Sequence, residues 1–187
     1  MTIELRRILI RIGLLLLGTA VVFIVAEQPM RQFETTTTLD LLRGLGLRQV
    51  SRASPFDIAI DSRGGVAFAA ELTPACSSLA SLLALIGLTV LRPPGPRWRL
   101  FGAVSVAMLT VFVGNIIRVA ASIAVGVVAG PASLVLFHDW VGSLFGFAYT
   151  LGGFLVMLYL LLPRDGMALT EICAARPTVK GPVPDVG

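Results

Sequence analysis

Long apolar runs broken by a few short polar stretches set the pattern of this chain. The first run covers 8–26; Arg6 and Arg7 precede it, Arg11 interrupts it, and Glu27 and Pro29 close it. Further runs cover 76–91, 100–129 and 132–162. At ~20 apolar residues per crossing, these runs predict about four transmembrane helices. The first is compatible with an uncleaved signal-anchor or a signal peptide, but no small-x-small cleavage site with a polar mature start follows it. It is therefore read as helix 1.

The long connection, 27–75, carries polar and apolar positions in shorter periods. Thr38 is placed to cap a short amphipathic helix with Leu39, Leu42 and Leu45 on one side, stopped by Gly44 and Gly46. Phe56, Ile58 and Ile60 then alternate with Asp57, Ala59 and Asp61, the period of a strand. A turn at 62–65 leads into a second strand over 66–71. The expected fold is an all-α integral membrane protein with a small extracytoplasmic helix plus hairpin between helices 1 and 2. Residues 1–163 form a single membrane domain, and the polar, aperiodic tail 164–187 is expected to be unstructured.

Composition supports the membrane class: 56% of the 187 residues are hydrophobic and 14% charged, with mean hydropathy +0.88, far from an ordinary soluble domain. The net charge of +4 does not point to nucleic acid, because the basic residues sit in small groups at the ends of apolar runs, where they set topology. Arg92, Arg97 and Arg99 mark a cytoplasmic turn, and Arg164 marks a cytoplasmic end. This puts both termini inside and 27–75 outside a multi-pass chain in the cell membrane. Lipid is a partner by necessity; oligomeric state is open.

Candidate chemistry gathers toward the outer face. Thr73 is a plausible N-cap and Pro74 fits a first helical position, so Cys76 falls in the first turn of helix 2, where the dipole favours thiolate. Taken alone, Cys76 reads first as a small buried residue, and Arg118 and His138 are what turn the reading toward chemistry. Arg118 shares a helical face with Asn115 and Ser122; inside a bilayer an Arg costs at least ~2.5 kcal/mol, so it is functional, paired, or snorkelling to the interface. His138 is the single histidine. At ~1.5 Å per residue, Cys76, Arg118 and His138 stand ~22, ~27 and ~36 Å above the cytoplasmic ends of their helices. Gly142, Gly146 and Gly153 give helix 4 a small-residue stripe that suits helix packing or the approach of a substrate helix. Asp139 is too far round the helix from its neighbour His138 to orient it and reads as a solvated cap residue. Cys173 lies in the tail, across the membrane from Cys76, so no disulfide joins them. No zinc pattern, GxSxG, P-loop or dinucleotide fingerprint occurs, so neither metal nor cofactor is expected.

PACSS at 74–78, GNIIR at 114–118 and LFHDWVG at 136–142 resemble, in order, the three signature blocks of the exosortase/archaeosortase family, of which this chain would be a short or divergent member with Ser78 where many members have Gly. That resemblance implies a membrane cysteine transpeptidase acting on exported proteins whose C-terminal sorting signal is a motif, a helix and a basic cluster. It makes Cys76 the nucleophile, Arg118 the transition-state stabiliser and His138 the acid/base; Ser77, Asn115 and Gly142, which stand beside them in the sequence or on the same helix, are read as supporting residues. Transpeptidase and hydrolase stay open as outcomes of one chemistry. A non-catalytic membrane adaptor, in which Arg118 pairs with a partner helix and Cys76 only packs, is the alternative.

Overall fold

The computed structural model describes residues 3–62, 65, 67–90 and 97–162; the tail with Cys173 and Arg164, and the turn at Arg92, lie outside the described residues. Helix α1 (Ile3–Gly44) leads into strands β1 (Val50–Arg52), β2 (Asp57–Asp61) and β3 (Ala67–Glu71). A 3-10 turn (Pro74–Cys76) precedes α2 (Leu79–Val90) and α3 (Arg97–Ala129). Then α4 (Pro131–Leu136), a π segment (Phe137–Val141) and α5 (Gly142–Leu161) run as one rod.

Three of these rods are long and apolar enough to cross a membrane: Ile12–Gly44, Trp98–Ala129 and Pro131–Leu161. Helix α2 is apolar but shorter: its 12 residues span ~18 Å at ~1.5 Å per residue, against a hydrocarbon core of ~30 Å. The outward faces are apolar where lipid would lie, as at Leu14, Leu17 and Ile24, a surface that water would not tolerate over such an area. The chain is an α-helical, multi-pass membrane protein.

The largest departure from expectation is α1. No break occurs at Glu27–Pro29; the helix continues through Pro29 to Gly44 and absorbs the separate short helix expected from Thr38. Pro29 removes one amide and crowds the preceding turn, yet the segment beyond it is fixed by tertiary contacts that override propensity. Arg31 pairs with Glu27 at 2.8 Å and donates from Nε to the Leu72 carbonyl at 2.7 Å. It also lies 4.3 Å from the Phe56 ring centroid, and Phe33 stacks on Phe112 of α3. Thr35, Thr36 and Thr37 satisfy their hydroxyls on carbonyls one turn back, so a polar stretch is housed within a helix. Gly46, at φ +84°, turns the chain out of it, as expected of a glycine stop. Leu39 and Leu42 are buried, whereas Leu45, beyond the helix end, is 69% exposed.

The expected hairpin is two-thirds of a three-stranded antiparallel meander, β1-β2-β3. Ile58 and Ile60 bury one face of β2, as their alternation requires. With Val50 and Leu72 they pack on Leu39 and Leu42 of α1 and on Val119, Ala120, Ile123 and Val127 of α3. A second core, Leu82, Leu85, Ala103, Ala107, Val111 and Met157, ties α2, α3 and α5 together. The sheet thus caps the bundle end at which α3 turns into α4, opposite the end where α2 stops and α3 begins.

Candidate functional site

Cys76 reaches the site from the end of β3 by way of a 3-10 turn, not from within α2. Thr73 makes no side-chain cap; its carbonyl takes the Cys76 N–H at 2.9 Å and its hydroxyl lies 3.2 Å from Cys76 Sγ. Helix α2 begins only at Leu79, capped by Ser77 Oγ accepting the Leu79 N–H at 3.2 Å. The activation expected from the helix dipole therefore gives way to direct partners. Cys76 Sγ is 3.4 Å from His138 Nε2, within nucleophile–base reach. Burial pushes the Cys76 thiol up, but hydrogen bonds from His138 and Thr73 and the charge of His138 outweigh it and lower the pKa from 9.0 to about 7. Cys76 is a free thiol.

His138 stands in the π segment between α4 and α5, a helix defect that commonly marks functional positions. Heights counted along each helix had separated His138 from Cys76. Cys76 precedes α2, so a height counted along that helix does not place it, and the structure sets it against His138. Asp139 is exposed beside it, in keeping with a solvated role.

Behind the thiol lies a buried polar cluster whose central member the sequence had assigned to the outer loop. Glu34, on α1, is 0% exposed. Its Oε1 accepts from the Ser78 N–H at 2.9 Å, the Ser78 hydroxyl at 2.6 Å and Asn115 Nδ2 at 3.0 Å. Asn115 Nδ2 also donates to the Cys76 carbonyl at 2.9 Å, and Tyr149 Oη donates to Asn115 Oδ1 at 3.1 Å. The loop carrying the thiol is thus held from two sides: at its own carbonyl by Asn115, and two residues on, at Ser78, by Glu34. An acidic residue in continuous helical register with an apolar run was the available signal for Glu34, masked by Pro29; Tyr149 gave none.

Arg118 is buried one turn along α3 from Asn115 and does not join the thiol and imidazole directly. It fills the small-residue stripe of α5. A Cβ at Gly142 would sit 3.8 Å from Arg118 Cδ, and one at Gly146 would meet Arg118 Nη1 at 3.4 Å and Tyr149 Oη at 3.6 Å. The stripe thus serves helix packing, the first of its two readings: Gly142 and Gly146 face Arg118, and Gly153 packs on Val111 and Ala107 of α3. Its Nε and Nη2 are buried with no hydrogen-bond partner among the described residues. Ser122 turns its hydroxyl to the Arg118 carbonyl at 2.9 Å.

In front of the thiol a cavity of about 280 Å³ opens between β3 and the α3–α4 corner. It is lined by Phe68 to Leu72 on one side, by Val119, Ser122 and Ile123 and by Pro131, Leu134 and Val135 on the other, and by Cys76 and His138. A mostly apolar cleft with convergent polar groups and a shifted thiol is the usual form of a binding site.

No curated protein and no solved structure matches the chain. The family model described as transmembrane exosortase matches residues 4–162, which takes in α1 with Glu34, the sheet, and all three of Cys76, Arg118 and His138. A multi-pass bundle with this cysteine and histidine in contact, matched over most of its length, belongs to the transmembrane exosortase family.

Proposed function

We propose that the protein is a cysteine transpeptidase or peptidase that cleaves the C-terminal sorting signal of exported proteins at the outer face of the cell membrane. The observation that carries this reading is the 3.4 Å approach of Cys76 Sγ to His138 Nε2 in the wall of an open cavity. The thiolate attacks the scissile carbonyl carbon, forming a C–S bond. The tetrahedral intermediate collapses with breakage of the C–N bond, and His138 gives the departing amine its proton. An acceptor amine or water then attacks the thioester and returns the thiol.

Arg118 is the fixed positive charge of this scheme. Its two unpartnered buried donors suit a group that stabilises charge only when charge develops, and a low-dielectric setting increases that effect. Asn115 and Ser77 act by holding the loop and the start of α2, while Gly142 lies against the Arg118 side chain. The outward orientation is supported by the basic residues at 92–99, which favour the cytoplasm for the end of the bundle opposite the sheet.

The test uses exported proteins of the same genome that end in a motif, an apolar helix and a basic cluster, co-expressed with the chain and followed by mass. Cys76→Ala should abolish their shortening at equal membrane abundance, and a membrane-impermeant maleimide should label Cys76 from outside intact cells. Full processing by Cys76→Ala or Cys76→Ser would leave the protein a non-catalytic adaptor.

A further inference from the structure

We infer that the free edge of β3 binds the substrate as an added β-strand, so that an extended peptide is recognised through its main chain and fed to Cys76. This rests on the transpeptidase reading and names how its substrate is held. Two independent observations lead to it.

The first is the phase of the hydrogen bonds. Leu72 N–H donates to the Phe56 carbonyl at 2.9 Å, and in the same register Ala70 faces Ile58 and Phe68 faces Ile60. Ladder bonds alternate along an antiparallel pair, so Phe68, Ala70 and Leu72 bond to β2 while Ala69 and Glu71 direct their N–H and C=O groups away from it. The opposite edge of β2 agrees: Ala53 N–H donates to Asp57 O and Asp61 N–H to Gln49 O, which assigns residues 57, 59 and 61 to β1. β3 ends the sheet, and no further strand pairs with it among the described residues.

The second is the way β3 meets the cavity. Side chains of a strand alternate between faces, so a cleft lying against a face would touch every other residue. Five consecutive residues, 68–72, line this one. The cleft therefore runs along the edge, where successive residues are all in view, with α3 and α4 as its far wall. Cys76 and His138 line it as well, and the chain passes directly from β3 through Thr73 and Pro74 to the thiol. A peptide paired to Ala69 and Glu71 thus has its continuation at the nucleophile. Main-chain pairing supplies affinity without regard to sequence, while the apolar wall selects one side chain in two, as in other strand-addition sites.

The experiment uses the purified full chain in lipid nanodiscs and three probes: iodoacetamide, acetyl-alanyl chloromethyl ketone and acetyl-tetraalanyl chloromethyl ketone. In the last two the thiolate of Cys76 forms a C–S bond to the methylene carbon and chloride leaves. Adducts are quantified at Cys76 by mass spectrometry. The tetrapeptide reagent should alkylate about tenfold faster than the single-residue one, the effect of one or two net hydrogen bonds. N-methylating its peptide nitrogens one at a time should remove that gain at alternate positions only. Ala69→Pro deletes an outward N–H at an edge, where proline is tolerated; it should lose the tetrapeptide advantage, read as the ratio of the two chloromethyl ketone rates. Equal rates for the two chloromethyl ketones, or an N-methyl series with no period of two, would overturn the strand-addition inference and leave the reactive thiol intact. An iodoacetamide rate at pH 7 no greater than that of an ordinary cysteine would overturn the transpeptidase reading and this inference together.

Discussion

Replacing Glu34 tests whether the buried cluster sets the thiol's aim. Glu34→Ala removes the acceptor of three hydrogen bonds, at 2.9, 2.6 and 3.0 Å. The Ser78 hydroxyl can rotate to another acceptor, but the Ser78 N–H and one Asn115 amide hydrogen are left buried without a partner. At about 1–3 kcal/mol for each orphaned group, the loss is about 2–6 kcal/mol, a large share of a domain's ~5–15 kcal/mol. Because Asn115 also holds the Cys76 carbonyl, the loosened loop should carry Sγ away from His138. Glu34→Gln keeps an oxygen at the Oε1 position and sends its NH2 to the Oε2 position, where no partner is met; it should recover more than half of the loss. The assay is the pH dependence of Cys76 alkylation by iodoacetamide, with heat resistance in detergent followed by size exclusion. The alkylation midpoint should rise from about 7 toward 9.0 in Glu34→Ala and stay near its original place in Glu34→Gln. A Glu34→Ala protein with both the native midpoint and the native heat resistance would refute the positioning role.

Alkylation of the native Cys76 should rise about tenfold per pH unit up to about 7 and then level, since a lowered pKa makes thiolate available at lower pH; His138→Ala should move that midpoint upward, and an unmoved midpoint would remove His138 as the cause. Arg118→Lys keeps charge but loses the guanidinium fork and should lower kcat by about 10²–10³ at equal abundance, the range for loss of one well-placed oxyanion donor; near-native turnover would make Arg118 a packing residue. Gly114→Ala would bring a Cβ to 2.6 Å from Tyr149 Cβ, at the root of that side chain, so it should destabilise by about 1–3 kcal/mol and weaken the Tyr149–Asn115 bond, read as lowered heat resistance in detergent.

Cys76, Arg118 and His138 stood out because each is chemically rare in its setting: a single histidine, an arginine deep in an apolar run, and a cysteine at the start of one; the structure puts the first and last in contact. The β2 alternation was legible because one face of that strand is buried and the other is not. Glu34 was hidden for the opposite reason. Glu27, Pro29, Arg31 and the threonines read locally as a loop, and their helical state depends on partners at Ser78, Leu72 and Asn115, 41 to 81 residues distant, which no local period records. Strand β1 is three residues with one buried side chain, too short to carry a period. Cys76 does not sit in the first turn of α2 because the segment before Leu79 is a 3-10 turn, with the Ser78 and Leu79 amides taken by Glu34 and Ser77 side chains.

The π segment has a consequence for the phase of the rod that contains it. Pro131, Leu134, Val135 and His138 form one α-helical stripe along the cavity, and Gly142, Gly146 and Gly153 form another that meets α3. In an unbroken helix, residues four apart lie one above the other, and His138 would share its outlook with Gly142. The wider turn at Phe137–Val141 offsets the two stripes, so one continuous rod looks toward Cys76 above the turn and toward Arg118 below it. The rod is thereby keyed like a shaft with two flats. Taking one residue out of 137–141 would leave composition, length class and α5 packing almost unchanged, yet rotate the imidazole off its target.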